Sequence, residues 1–227
     1  MTFAERVAEF NNNLDFNGKP PKDIMIMNPF KGSPQIPEIT SRFYNKFYGN
    51  KNKRHLILGI NPGRFGAGVT GIPFTDTKRL NEYCGIKIKG INSHELSSVF
   101  VYKMINAYGG VKKFYNDFFI GAVCPLGFIK NNGKGKYLNY NYYDSPELTN
   151  AVYGFIINNI HEQIKFGVYT DKCFCLGTGK NYNFLVKINS EYNFFEKIIP
   201  LEHPRFIMQY RAKRIDFFVD KYLNLLG

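Results

Sequence analysis

Tryptophan is absent from the 227 residues, and cysteine is scarce, with four positions. Cys84, Cys124, Cys173 and Cys175 have no Cys-x-x-Cys spacing, so a zinc ribbon or iron–sulfur cluster is not indicated. Free, buried thiols are expected instead. Acidic residues are also in short supply. Lys and Arg number 30 against 18 Asp and Glu, which gives a net charge of +12. With a pI near 9.4 the chain would be drawn to a polyanion, either nucleic acid or an acidic membrane surface. Charge alone does not choose between them, since many basic proteins bind nothing specific. No apolar run is long enough to span a bilayer. The N-terminus, Met-Thr-Phe-Ala-Glu-Arg, lacks a basic segment followed by an apolar one, so a reducing cytoplasm is the expected location. The length suits one substantial core and does not demand two domains.

What the chain does have is concentrated in residues 55–74. His55 to Ile60 is a short apolar run of the length of a buried strand. It breaks at Asn61-Pro62-Gly63, and four glycines and two prolines occur between residues 60 and 73. Backbone in such a loop can approach a ligand closely, because glycine has no Cβ to block it. Open α/β sheets place their sites where a strand ends in a loop of this kind.

The remaining pattern alternates helices and strands. Helical spacing is found over 2–14, about 33–48, 75–83, 93–108, 145–164 and 210–226. Ser93 is expected to cap the fourth of these, with Glu95 as an acid in its first turn. Ser145-Pro146-Glu147 opens the fifth with a cap, a proline and an acid. Further strands are expected at 117–124, 172–176 and 195–201, and extended loops at 15–34 and 125–144. This order predicts one α/β sandwich around a mainly parallel sheet whose strands deliver their loops to one edge.

Several constellations could carry chemistry. Asn61, after the first strand, and His203, after the fourth, would meet at that edge. Asn can position a water but is no base at neutral pH, and a neutral His can donate to developing negative charge. By themselves, Asn-Pro-Gly is as readily a turn and His-Pro a satisfied loop. Gly177-Thr178-Gly179-Lys180 lacks Walker spacing, yet it could offer backbone N–H groups to a phosphate, or simply be a tight turn. Arg205 to Arg214 mixes Phe206, Ile207 and Met208 with cations. It could be a wedge that enters stacked bases, or the start of a packed helix face. The basic clusters at Lys51/Lys53/Arg54, Lys78/Arg79, Lys112/Lys113 and Lys130/Lys134/Lys136 could track phosphates or merely be solvated. Tyr137, Tyr140, Tyr142 and Tyr143 could stack on bases or form a lid.

Taken together, these motifs resemble the uracil-DNA glycosylase superfamily, and most closely its single-strand-selective monofunctional family, in a divergent bacterial-type branch. That family's Gly-Met-Asn-Pro-Gly-Pro-Phe-Gly and Thr-Gly-Val-Pro-Phe stand here as Gly59-Ile60-Asn61-Pro62-Gly63-Arg64-Phe65-Gly66 and Thr70-Gly71-Ile72-Pro73-Phe74. Its Cys-Pro-Leu recurs as Cys124-Pro125-Leu126, its Gly-x-Gly turn as Gly177-Thr178-Gly179, and its late His-Pro as His203-Pro204. The likeness runs from about Leu56 to the C-terminus; the first fifty residues add nothing to it and read as a helical extension of the same single domain.

The resemblance implies a three-layer αβα sandwich around a four-stranded, mainly parallel sheet. It also implies hydrolysis of the N-glycosidic bond of a damaged base flipped out of DNA. No metal or organic cofactor is implied, and a monomer is expected. Asn61 would position water, His203 would donate to the leaving base, Phe74 would stack on it, and Gly63 would leave space beside C5. Ile60, Ala122, Cys124 and Pro125 complete the implied base site. Arg64, Gly177, Thr178, Gly179, Lys180, Arg205, Phe206 and Arg211 make up the implied DNA surface. Two departures stand out. Ala122 occupies the place of the family's base-reading Asn, and Arg205-Phe206-Ile207 replaces the usual continuation after His-Pro. With the reader missing, the base is read by backbone or another side chain, or specificity shifts towards deaminated purines. A missing bidentate reader costs about 1–3 kcal/mol of discrimination. No Lys nucleophile stands in the first motif, so no lyase step is expected. The alternative is a non-catalytic nucleic-acid-binding module that keeps the fold.

Overall fold

A computed structural model describes residues 1–227. The chain opens with α1 (Phe3–Asn13), closed at its start by a capping box between Thr2 and Glu5. β1 (Ile24–Met27), α2 (Pro29–Gly32) and α3 (Gln35–Tyr48) follow. Next come β2 (Arg54–Gly59), α4 (Ala67–Thr70), α5 (Thr77–Cys84), α6 (Leu96–Tyr108), α7 (Val111–Asp117) and β3 (Phe118–Ala122). A hairpin of β4 (Gly127–Asn131) and β5 (Tyr137–Tyr140) precedes α8 (Pro146–Ile164). The chain ends with β6 (Val168–Leu176), α9 (Lys180–Tyr192), β7 (Lys197–Leu201), α10 (Pro204–Tyr210) and α11 (Ile215–Leu226).

The main sheet has the order β3-β2-β6-β7, and every pair in it is parallel. The expected α/β sandwich is therefore what forms, with flanking helices as the outer layers. Both faces of the sheet are covered, which explains why its strands read as unbroken apolar runs. Leu56, Ile57, Leu58, Cys173, Phe174 and Cys175 are all buried. All four cysteines are buried and free, and burial lifts the Cys84 thiol to about 11 and those of Cys124 and Cys175 to about 12. No helix is long and apolar enough to cross a membrane.

Both stretches expected to be extended loops prove to carry strands. β1 pairs with β4, and β4 with β5, in a small antiparallel sheet beside the main one. Its strands are short and half exposed, so they lack the apolar run that marks a core strand. β6 begins four residues earlier than expected. The register jumps from His55↔Tyr169 to Leu56↔Cys173, so Thr170, Asp171 and Lys172 bulge out of the pairing with β2 and hide the strand's polar start, although Lys172 already pairs with Lys197 of β7. The last helix is two, α10 and α11, separated by a 3-10 turn at Ala212–Arg214.

Arg54 is a correction to the basic clusters. It is fully buried at the start of β2, at the edge opposite the strand-end loops. It donates to the carbonyls of Tyr115 (2.8 Å) and Asn52 (2.7 Å) and lies 4.7 Å from the ring centres of both Phe3 and Tyr48. Its guanidinium joins the N-terminal extension to the sheet. Arg54→Leu strands those carbonyls and is expected to cost roughly 3–5 kcal/mol, read as a lower midpoint in urea unfolding. Arg79 is likewise buried against Asp76 rather than free for phosphate.

Candidate active site

The four parallel strands end at one edge, and a cleft of about 570 Å³ opens there. Its walls include Ile60, Asn61 and Gly63 after β2, Phe74, Glu95, Ala122 at the end of β3, and His203, Arg205 and Phe206 after β7. The two residues that the sequence pairs as catalytic candidates, Asn61 and His203, therefore share one cavity.

Asn61 is held from the hairpin side. Its Oδ1 accepts from the Tyr142 N–H (3.2 Å), and its Nδ2 donates to the Tyr140 carbonyl (3.2 Å). A backbone N–H can only donate and a carbonyl only accept, so this pair fixes which way the amide points. One Oδ1 lone pair and one N–H remain. The nearest partner for that N–H, the Pro62 carbonyl, is 3.5 Å away, at the limit for a hydrogen bond. Asn139 of β5 adds a second tie, accepting from the Arg64 N–H (3.2 Å). The small antiparallel sheet thus braces the loop.

His203 caps α10, with Pro204 as that helix's first residue. Its Nδ1 accepts from the Arg205 N–H (3.1 Å). The proton must then sit on Nε2, leaving that N–H free to donate. Burial first, and the Arg205 charge second, pull the imidazole down to about 4. The ring is therefore neutral throughout the physiological range. Its centre lies 5.7 Å from that of Phe74.

Phe74 has φ of 51°, a left-handed conformation that a bulky residue avoids. Thr70 over-determines the turn: its hydroxyl donates to the Thr75 carbonyl (2.6 Å) and accepts from the Ile72 N–H (3.2 Å). Holding Phe74 there costs roughly 1–3 kcal/mol, strain of a kind that clusters at functional sites. Gly59 lies underneath, where an added Cβ would come 3.2 Å from the ring.

Ala122 lines the cleft as expected, but its backbone is not free. Gln163 of α8 accepts from the Ala122 N–H (3.3 Å) and donates to its carbonyl (3.0 Å). Gly121 makes room for this, since a Cβ there would collide with Gln163 Oε1. Gln163→Ala leaves both groups unpartnered in a largely buried setting. It is expected to cost about 1–3 kcal/mol in urea unfolding. Cys124 and Pro125 do not line the cleft. Cys124 is fully buried, its N–H donating to the Ile60 carbonyl (3.0 Å), and Pro125 faces a smaller neighbouring cavity.

The implied DNA surface divides. Arg205 and the exposed Phe206 lie on the rim, whereas Ile207 is buried and Met208 half-buried in the packing of α10. Tyr210, which the sequence did not single out, stands beside Phe206 at 5.6 Å and is 62% exposed. Arg211 lies over the Phe206 ring at 5.5 Å. Thr178, Gly179 and Lys180 are exposed outside the cleft, with Lys180 5.9 Å from the ring of the cleft residue Tyr143. Gly177 has φ of 117° and donates to the Leu201 carbonyl, so it forms a structural turn. Arg64 is half-buried over Phe65, at 4.5 Å from its ring centre, and is not part of the cleft wall.

Glu95 is the residue that sequence reasoning misplaced. α6 begins at Leu96, not at Ser93, and Glu95 is its N-cap position without capping through its side chain. Asp76, whose side chain caps α5, anchors the turn instead. That fully buried carboxylate accepts from the Glu95 N–H (2.8 Å) and the Ser98 hydroxyl (2.7 Å). The Glu95 carboxyl turns into the cleft. An acid just before an apolar run looks like an ordinary helix start, so no sequence signal set it apart.

Comparison with known proteins bears on the fold and the family. The family model of the uracil DNA glycosylase superfamily matches residues 47–227. The crystal structure of wild-type Pedobacter heparinus SMUG2 is 55% identical, covers 99% of this chain and 97% of its own, and superposes with a TM-score of 0.97. The chain belongs to the uracil DNA glycosylase superfamily, and within it to the SMUG family.

Proposed function

We propose that this protein is a monofunctional DNA glycosylase that hydrolyses the N-glycosidic bond of uracil or a related damaged base in base excision repair. The observation that carries the reading is the placing of Asn61 and His203, each with its polar atoms fixed by backbone partners, in one cleft. The free lone pair of Asn61 holds the attacking water, which must reach the sugar carbon as the bond to the base lengthens. His203, neutral and protonated on Nε2, donates to the base oxygen on which negative charge grows. Donors held rigidly need no reorganisation when that charge appears. Phe74, seated over Gly59, stacks on the extruded ring, Gly63 leaves room for that ring, and Ala122 with its Gln163-clamped backbone lines the same cleft. Arg205, Phe206 and Tyr210 on the rim meet the DNA, the aromatics filling the gap that the base leaves. Four buried free cysteines fit a reducing compartment such as the cytoplasm.

The test is a panel of oligonucleotides, single- and double-stranded, each with one uracil, 5-hydroxymethyluracil, xanthine or hypoxanthine. Alkali-labile abasic sites on at least one are expected. Intact strands on all four contradict the reading.

A further inference from the structure

Among the cleft's side chains, Glu95 has no part in the steps above. Its Oε2 is buried without a hydrogen-bond partner, and no ion pair forms to it. A desolvated, unpartnered carboxyl is costly to maintain. The neighbouring loop is shaped around it. A Cβ on Gly66 would collide with the carboxyl, and one on Gly63 would lie 3.7 Å from Oε1. The carboxyl is therefore seated on the glycine side of the cleft, with Oε2 packed against Gly66 and Oε1, the oxygen on the Gly63 side, left as the acceptor that a ligand can reach.

Phosphate cannot be its partner, because like charges repel. The bare C5 edge of uracil offers only C–H. What complements the carboxylate is a donor projecting from the base into the space beside Gly63. Resting on the proposed glycosylase function and on the place it gives Gly63, we propose that Glu95 is a specificity-determining residue. Its carboxylate accepts a hydrogen bond from a donor on the extracted base, such as the hydroxyl of a 5-hydroxymethyl group.

The protonation state of Glu95 sets how strongly it does so. Burial first, then the charge of Asp76, lift its carboxyl to about 7, while Arg205 opposes them; His94 is the next titratable neighbour in the chain, and Arg79 holds Asp76 from behind. Above that value the bond is charge-assisted and about twice as strong as a neutral one.

The experiment measures kcat/KM for 5-hydroxymethyluracil and for uracil in the same single-stranded sequence, from pH 6 to 8.5, with wild type, Glu95→Gln and Glu95→Ala. In the wild type the ratio of the two rises severalfold with pH. At pH 8 it falls about tenfold or more in both variants, and in Glu95→Gln it no longer varies with pH. A purely structural role for Glu95 would not produce a substrate ratio that titrates. The wild-type profile decides the matter even if a variant does not fold. Excision with a pH-independent wild-type ratio, or with ratios unchanged by both substitutions, overturns the role of Glu95 alone. No excision of either base by the wild type overturns Glu95's role, and it overturns the proposed function as well when the xanthine and hypoxanthine strands also stay intact.

Discussion

Asn61→Ala is expected to slow single-turnover base release by roughly 10²–10³-fold while leaving DNA affinity within a fewfold of wild type. The loss follows from what the side chain does. Alanine cannot hold a water, and a nucleophile that must be caught by chance loses the advantage of being held in line. Affinity survives because phosphate and rim contacts supply most of it. The hairpin should still fold, since the Tyr140 carbonyl and Tyr142 N–H that Asn61 engages are only part-buried and can turn to solvent. Pre-steady-state excision beside a binding titration separates the two effects. Wild-type rates, or a loss explained by weaker binding, would contradict the role of Asn61.

His203→Ala is expected to cost a similar roughly 10²–10³-fold, as removal of one preorganised donor to a developing anion does. The pH dependence distinguishes a neutral donor from an imidazolium. The folded value of about 4 lies below the ordinary 6.5 because of burial and Arg205. Wild-type kcat on uracil, whose C5 edge offers Glu95 no donor, should therefore show no inflection near 6.5. Below about 4 a second proton arrives on Nδ1, opposite the Arg205 N–H, and breaks the contact that caps α10. The sign for stability is the same. The unfolded chain takes up this proton first, so the His203 contribution is lost as pH falls from 6.5 through about 4 and is intact above that range. An inflection near 6.5 that vanishes in His203→Ala would show instead that an imidazolium acts.

How legible the molecule is from its sequence depends on how local each signal is. The strand ending at Gly59 could be read because burial on both faces leaves an unbroken apolar run. The start of α8 could be read because cap, proline and acid are adjacent. The hairpin of β4 and β5 could not, for its half-exposed strands carry Asn, Lys and Tyr like a loop. That hairpin nevertheless orients Asn61, so the residue was visible and its brace was not. The proline after His203 is a first-turn signal, and it would have shown that His203 caps a helix with its Nδ1 occupied. Gln163 behind Ala122 was out of reach, because the two are 41 residues apart and meet only through folding. Glu95 looked like any acid ahead of a helix, because nothing local shows that its backbone is tied to Asp76, 19 residues away, while its carboxyl turns into the cleft.

The central claim is that this cleft breaks a glycosidic bond and does not merely hold DNA. The most direct measurement is the release of free uracil, detected by mass spectrometry, from a single-stranded oligonucleotide bearing one uracil under saturating enzyme. The expected result is free uracil and an abasic strand in equal amounts with the wild-type chain, and at least about a hundredfold less at the same time with Asn61→Ala or His203→Ala. Tight binding of that oligonucleotide, and of its 5-hydroxymethyluracil, xanthine and hypoxanthine counterparts, with no base released from any would contradict it and leave a nucleic-acid-binding module in its place.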